Sequence, residues 1–303
     1  MNEEIIRKKY QREDENDPRG VNTEAMDRFI QMLRQHQKSE DPRIVAIADN
    51  FENISKLAPN FTIFQTDNPD NCMFMPKFKV YQIAKDSNMM TASHEFGHAV
   101  LSIMNDTKVP ENYGEVIARA KQHSISSENK KYFMSYVEYL CGKTENKEDR
   151  TEAEKGPLSD IMSSIFQRQG LRIGTPDNVC LFPAYHSREY YFDEKNGEPN
   201  QRKIFDEDFA NYYVLKVNNC TQEIETIRRL FGDEFINVLD AELEKAYERI
   251  LILKEKETQE RQPDIMEQIE SAIIGSRQSE IDEARIIQNE ERETKESQGE
   301  RSE

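Results

Sequence analysis

Met89-Met90-Thr91-Ala92-Ser93-His94-Glu95-Phe96-Gly97-His98-Ala99-Val100-Leu101 holds two of the five histidines in the chain, His94 and His98, four positions apart. On a helix that spacing places them one turn above each other on one face. Two imidazoles so placed can take a single zinc ion, each at about 2.0–2.1 Å. Glu95 stands beside the first of them and can reach a zinc-bound water, whose lowered pKa lets a carboxylate act as general base. Ala92, Phe96, Ala99, Val100 and Ile103 supply an apolar side, so the helix can be buried with its polar edge facing a cleft. Gly97 costs such a helix about 1 kcal/mol relative to Ala. Its presence is explained if another element must approach the helix backbone closely.

A tetrahedral catalytic zinc takes three protein ligands and leaves the fourth place for water. The continuation that would add a third histidine is absent, because Leu101 stands where its glycine belongs and Met104 or Asn105 where that histidine would fall. The third ligand is therefore expected to be a carboxylate from a later helix. Glu138, Asp160 and Glu207 are the candidates, and Asp160 could equally serve a helix N-terminus or orient a ligand histidine.

The run His94-Glu95-Phe96-Gly97-His98-Ala99-Val100 is similar to the zinc-binding helix of the gluzincin clan of metallopeptidases, and of its lethal-factor-like members in particular. In those members the third ligand lies in a later helix within a Glu-x-Phe-Ala pattern, which Glu207-Asp208-Phe209-Ala210 resembles. Leu158-Ser159-Asp160-Ile161 resembles instead the Ser-Asp that follows the glutamate ligand of thermolysin-like enzymes, keeping Asp160 as the alternative third ligand. The resemblance also implies an oxyanion donor upstream of the third ligand, for which Tyr190 and His186 are the candidates. It covers two short helices. The expected activity is peptide-bond hydrolysis, with one zinc per chain, Glu95 as base and a protein or peptide as substrate. Two rival readings are a regulatory or interaction protein with a structural or inactive zinc site, and a helical scaffold in which the motif is coincidental.

Around this centre the sequence reads as a mostly helical α+β protein, a zincin-like domain with a small sheet beside the His94–His98 helix. Helices are expected from about Thr23 to Gln37, with Met26, Phe29, Ile30 and Leu33 inward, and from Ile44 to Leu57. Two or three short strands are expected over 61–64 and 72–83, which are rich in β-branched and aromatic residues. Further helices are expected near 111–123, 127–141, 157–169, 205–217, 221–230 and 233–256, with loops and a short strand over 171–203. The expected organisation is a mobile charged N-terminus over 1–20, the domain over 21–253, and a charged helical to disordered tail over 254–303. In that tail Ile265, Ile269, Ile273 and Ile274 suggest a helix for a partner. His36 and His123, in polar surroundings, read as surface residues.

The formal net charge of −17 disfavours nucleic acid and anionic lipid as partners. No apolar run reaches membrane-spanning length, and the first residues lack a basic-then-apolar signal. Cytoplasmic synthesis is the expectation, with signal-independent export open. Four widely spaced cysteines with no CxxC pair read as reduced thiols rather than a disulfide framework.

Overall fold

The computed structural model describes residues 1–11, 21–58, 60–68, 72–104, 108–142, 149–167, 170–172, 179–181, 188–193 and 197–256. It divides into two units, Met1–Ile250 and Leu251–Glu303. Of the second, the described residues 251–256 are helical. The first unit is mostly helical with a small three-stranded sheet.

Helix α1 (Glu3–Tyr10) opens the chain, with the Asn2 side chain capping it at the Ile5 N–H. The expected mobile lead-in is thus corrected over its first ten residues. Ile6 and Tyr10 are buried in the core, and the Tyr10 ring lies 6.2 Å from Phe51 and 6.1 Å from Phe61. Charge counting overlooked two apolar residues four apart, enough to dock one helical face. Helix α2 (Thr23–His36) follows as expected, with Met26, Phe29, Ile30 and Leu33 all buried. The single helix expected to Leu57 is two, α3 (Pro42–Asp49) and α4 (Phe51–Leu57). Asn50 separates them: its side-chain amide donates to the Ala46 carbonyl at 2.5 Å, competing with the backbone ladder.

Strands β1 (Thr62–Gln65), β2 (Met73–Met75) and β3 (Val80–Ile83) form a sheet of order β1-β3-β2. β3 pairs in parallel with β1 (Thr62 opposite Val80) and antiparallel with β2 (Phe74 opposite Tyr81), leaving β2 at an edge. This sheet lies against α5 (Met89–Met104). Buried Tyr81, on the central strand, donates its hydroxyl to the Ala92 carbonyl at 2.7 Å, and Lys79 donates to the Ser102 carbonyl at 3.0 Å. Those bonds fasten the sheet to both ends of α5. Asn88 caps the helix, accepting the Met90 N–H at 2.8 Å.

Helices α6 (Tyr113–Ser124) and α7 (Lys130–Leu140) follow, and a widened π-turn, Glu154–Leu158, leads into α8 (Ser159–Phe166). Pro157, which has no N–H for the ladder, sits within that turn. A two-stranded antiparallel pair, β4 (Gly170–Arg172) and β5 (Val179–Leu181), precedes a 3-10 turn, Arg188–Tyr191. Helix α9 (Gln201–Val217) begins four residues before the expected 205, because the Asn200 side chain accepts the Lys203 N–H at 3.1 Å and so caps it. α10 (Thr221–Phe231) and a helical stretch over 233–250 complete the unit. Among the described residues no helix is long and apolar enough to cross a membrane.

Helix α9 is buried around most of its circumference, polar residues included: Glu207, Asp208 and Asn211 are at most 2% exposed. A helix so enclosed must satisfy each buried polar group by a specific bond. It packs directly on α5, and Gly97 lies in the contact. A Cβ there would lie 3.0 Å from the Ala210 Cα and 3.2 Å from the Tyr213 Cβ. The glycine is what lets the two helix backbones meet.

Candidate metal centre

The close packing of α5 on α9 brings Glu207 to the two histidines. His94 Nε2 lies 3.1 Å from His98 Nε2 and 3.3 Å from Glu207 Oε2, and His98 Nε2 lies 3.6 Å from Glu207 Oε1. Ligand atoms placed tetrahedrally around one zinc at its usual bond lengths would sit roughly 3.3 Å apart. The donor set, two imidazoles and a carboxylate, is also one that zinc takes in catalytic sites. The His94, His98 and Glu207 group could therefore hold a metal ion, its donor atoms lying within 4.8 Å of one another. Glu207 is buried, while the histidine side chains keep 14–15% of their surface exposed, so the group is open on one side only.

His94 and Glu207 are both held from behind. Asn211, one turn after Glu207 on α9, lies with Oδ1 3.1 Å from His94 Nδ1 and donates its own amide to the Glu207 carbonyl at 2.9 Å. If His94 Nδ1 carries the proton, Nε2 is left as the ligating atom. Tyr190 donates its hydroxyl to Glu207 Oε1 at 2.8 Å, and the Lys203 ammonium lies 4.8 Å from the centre of the Tyr190 ring. Burial, then the Glu207 charge, pushes the Tyr190 hydroxyl far above its ordinary pKa, so it stays a donor. Burial lowers the His94 pKa, but the bond and charge of Glu207, with Glu95 and Asp160, outweigh it and raise it to about 9.

Glu95 is fixed from the sheet. Its Oε2 accepts the Phe74 N–H at 2.6 Å, a backbone group of the edge strand β2. Behind Glu207, Asp208 accepts the Tyr113 hydroxyl at 2.5 Å and the Ser164 hydroxyl, tying α9 to α6 and α8. Burial pushes the Asp208 carboxyl up to about 8, although both hydroxyl bonds pull the other way.

In comparison with known proteins, no family model, no curated protein and no solved structure matches the chain. The chemistry of the site is therefore carried by its own geometry.

Of the residues singled out in the sequence, His94, His98, Glu95, Glu207 and Tyr190 come together. Asp160 is buried on α8 and lines a cavity of about 350 Å³ together with His94 and Glu95, but it is outside the three-donor group. Glu138 lies on α7 and is likewise outside that group. His186 lies outside the described residues. Tyr190, considered for an oxyanion, has its hydroxyl on the Glu207 carboxylate. His123 is exposed, but His36 is a correction: it is fully buried, with Nε2 3.0 Å from the Ser93 hydroxyl and its ring 5.2 Å from Phe96. Its polar sequence neighbours concealed that it lies on the inward face of α2. Sequence reasoning also missed Asn211, although its position four residues after Glu207 on an apolar helix was a usable signal. It missed the Phe74 N–H as well, for which a backbone group offers no signal.

Proposed function

We propose that this chain is a zinc-dependent metallopeptidase with a zincin-like domain. The observation that carries the reading is the meeting of His94, His98 and Glu207 at zinc-ligand separations, with Glu95 beside them. His94 Nε2, His98 Nε2 and the Glu207 carboxylate would hold the ion. Zinc bound there would supply Lewis-acid polarisation of a peptide carbonyl and bring the pKa of a coordinated water toward about 7.

The rest is work for the side chains. Glu95, anchored through Oε2 by the Phe74 N–H, presents its other oxygen as the base for the attacking water. It takes one proton from that water and delivers it to the amide nitrogen that leaves when the carbon–nitrogen bond breaks. Asn211 holds the His94 ring, and Tyr190 holds the Glu207 carboxylate. The Tyr190 hydroxyl bonds a proposed ligand, and a rotation away from Glu207 would let it serve the oxyanion. A structural zinc site has no need of a base, and the placement of Glu95 favours the hydrolytic reading over a regulatory one.

Metal analysis of purified wild type beside His94→Ala, Glu95→Gln, Asp160→Ala and Glu207→Ala tests this. The expected result is one zinc per chain in wild type, Glu95→Gln and Asp160→Ala, and loss in the other two. Peptide cleavage should be present in wild type and absent in zinc-loaded Glu95→Gln. Wild type that takes up no zinc after reconstitution, or zinc-loaded Glu95→Gln that cleaves as well as wild type, would overturn the reading.

A further inference from the structure

The cavity of about 350 Å³ opens directly beside His94 and Glu95. Small-molecule pockets run from about 300 to 1,000 Å³, so this one is at the lower end and suits a single side chain rather than a length of peptide. Its walls come from the first half of α5, the π-turn that leads into α8, Asp160 on α8 and Asn211 on α9. Met90 and Pro157 contribute apolar surface. Asp160 contributes a carboxylate and is only 7% exposed. Glu152 and Lys155 also line it, but Glu152 is exposed, Lys155 is half-buried, and the two pair with each other at 3.1 Å at the solvent edge, which screens them. Of the two carboxylates set back from solvent there, Glu95 is anchored on the Phe74 N–H and Asp160 is the more deeply buried, so its charge is only weakly screened.

We infer that this cavity receives a basic side chain, arginine or lysine, of the substrate residue next to the scissile bond, with Asp160 as the residue that selects it. The inference rests on the hydrolase reading and adds to it the class of peptide cut. A long basic side chain has an aliphatic stem and a charged head. Met90 and Pro157 suit the stem, and the Asp160 carboxylate suits the head. Gly156 lies on that wall, and a Cβ built there meets nothing within 4 Å, so a larger side chain fits at this position without displacing the fold.

The test compares zinc-loaded wild type, Asp160→Asn, Asp160→Glu and Gly156→Leu on paired quenched-fluorescent peptides. The pairs carry arginine or its neutral isostere citrulline beside the cleaved bond. Wild type is expected to favour arginine by about tenfold or more in kcat/KM, as for a hydrogen bond to a charged group, with the difference in KM. Asp160→Asn should erase that ratio, Asp160→Glu should keep most of it, and Gly156→Leu should shift preference to small side chains. A cleaving enzyme that treats arginine and citrulline alike, or a preference that survives Asp160→Asn, overturns the inference and leaves the hydrolase reading standing. Should zinc-loaded wild type cleave none of the peptides, binding decides the matter through the Met90 methyl resonance. A shift with N-acetylarginine methylamide but not its citrulline counterpart, lost in Asp160→Asn, supports the pocket although hydrolysis has failed. No such shift overturns it.

Discussion

His94 and His36 behave in opposite ways because of what faces them. His94 meets the Glu207 carboxylate, whereas His36 meets Phe96, Tyr213 and one hydroxyl. Burial with no countercharge pushes the His36 pKa from 6.5 down to about 3. The ring is neutral in the folded chain and protonates readily only when unfolded. Its contribution to stability is therefore full above pH 6.5 and lost as pH falls toward 3. At pH 5 the loss is about 2 kcal/mol. Thermal melts between pH 7.5 and pH 5 should show a fall in Tm that is smaller in His36→Gln, and identical slopes in the two proteins would refute the assignment. Asn211 makes a second prediction at this scale. Asn211→Leu removes the partner of His94 Nδ1 and should weaken zinc binding about 10- to 100-fold, leaving circular dichroism unchanged. Competition with a chromophoric chelator measures it.

Helices α5 and α9 cross where each has a small residue, Gly97 on one and Ala210 on the other. Propensity alone says that Gly97→Ala should stabilise α5 by about 1 kcal/mol. Packing says the reverse, because the new methyl would meet the Ala210 backbone at 3.0 Å and force the helices apart. Overpacking of this kind costs about 1–3 kcal/mol, so the expected net effect is a lower Tm. Since one helix carries two of the candidate ligands and the other carries the third, zinc affinity should fall with it. A Gly97→Ala protein that melts higher and binds zinc normally would show that the approach is not needed. Asp208 acts at the same scale: its bonds to Tyr113 and Ser164 join α9 to two further helices. Asp208→Leu should leave the buried Tyr113 hydroxyl without its acceptor, at about 1–3 kcal/mol, whereas the Ser164 hydroxyl keeps the Ile161 carbonyl at 2.8 Å.

For the molecule as a whole, a metal at the α5–α9 crossing would act as a clamp between halves distant in sequence, since His94 and Glu207 are 113 positions apart. Zinc at 1,000 times its Kd would stabilise the fold by about 4 kcal/mol. Stripping it with a chelator should lower Tm by several degrees, reversibly, and His94→Ala should show no such response. An unchanged Tm on chelation of a zinc-loaded sample would place the metal elsewhere on the chain.

The sequence by itself determined the local chemistry: a helix with His94 and His98 on one face, Glu95 beside them, and a glycine that needed a close neighbour. It also determined the periodic helices, whose apolar spacing reports burial wherever a face is continuous, as in α2. What it could not determine was which carboxylate stands opposite the histidines. Glu138, Asp160 and Glu207 all lie on helices, and helical spacing says nothing about where two helices cross. The tertiary structure decided that through the Gly97–Ala210 contact, which sets α9 against α5 at Glu207. It decided the inward turn of His36 and the docking of Ile6 and Tyr10 for the same reason. Burial belongs to the packing of distant faces, and near neighbours in sequence carry only part of that information.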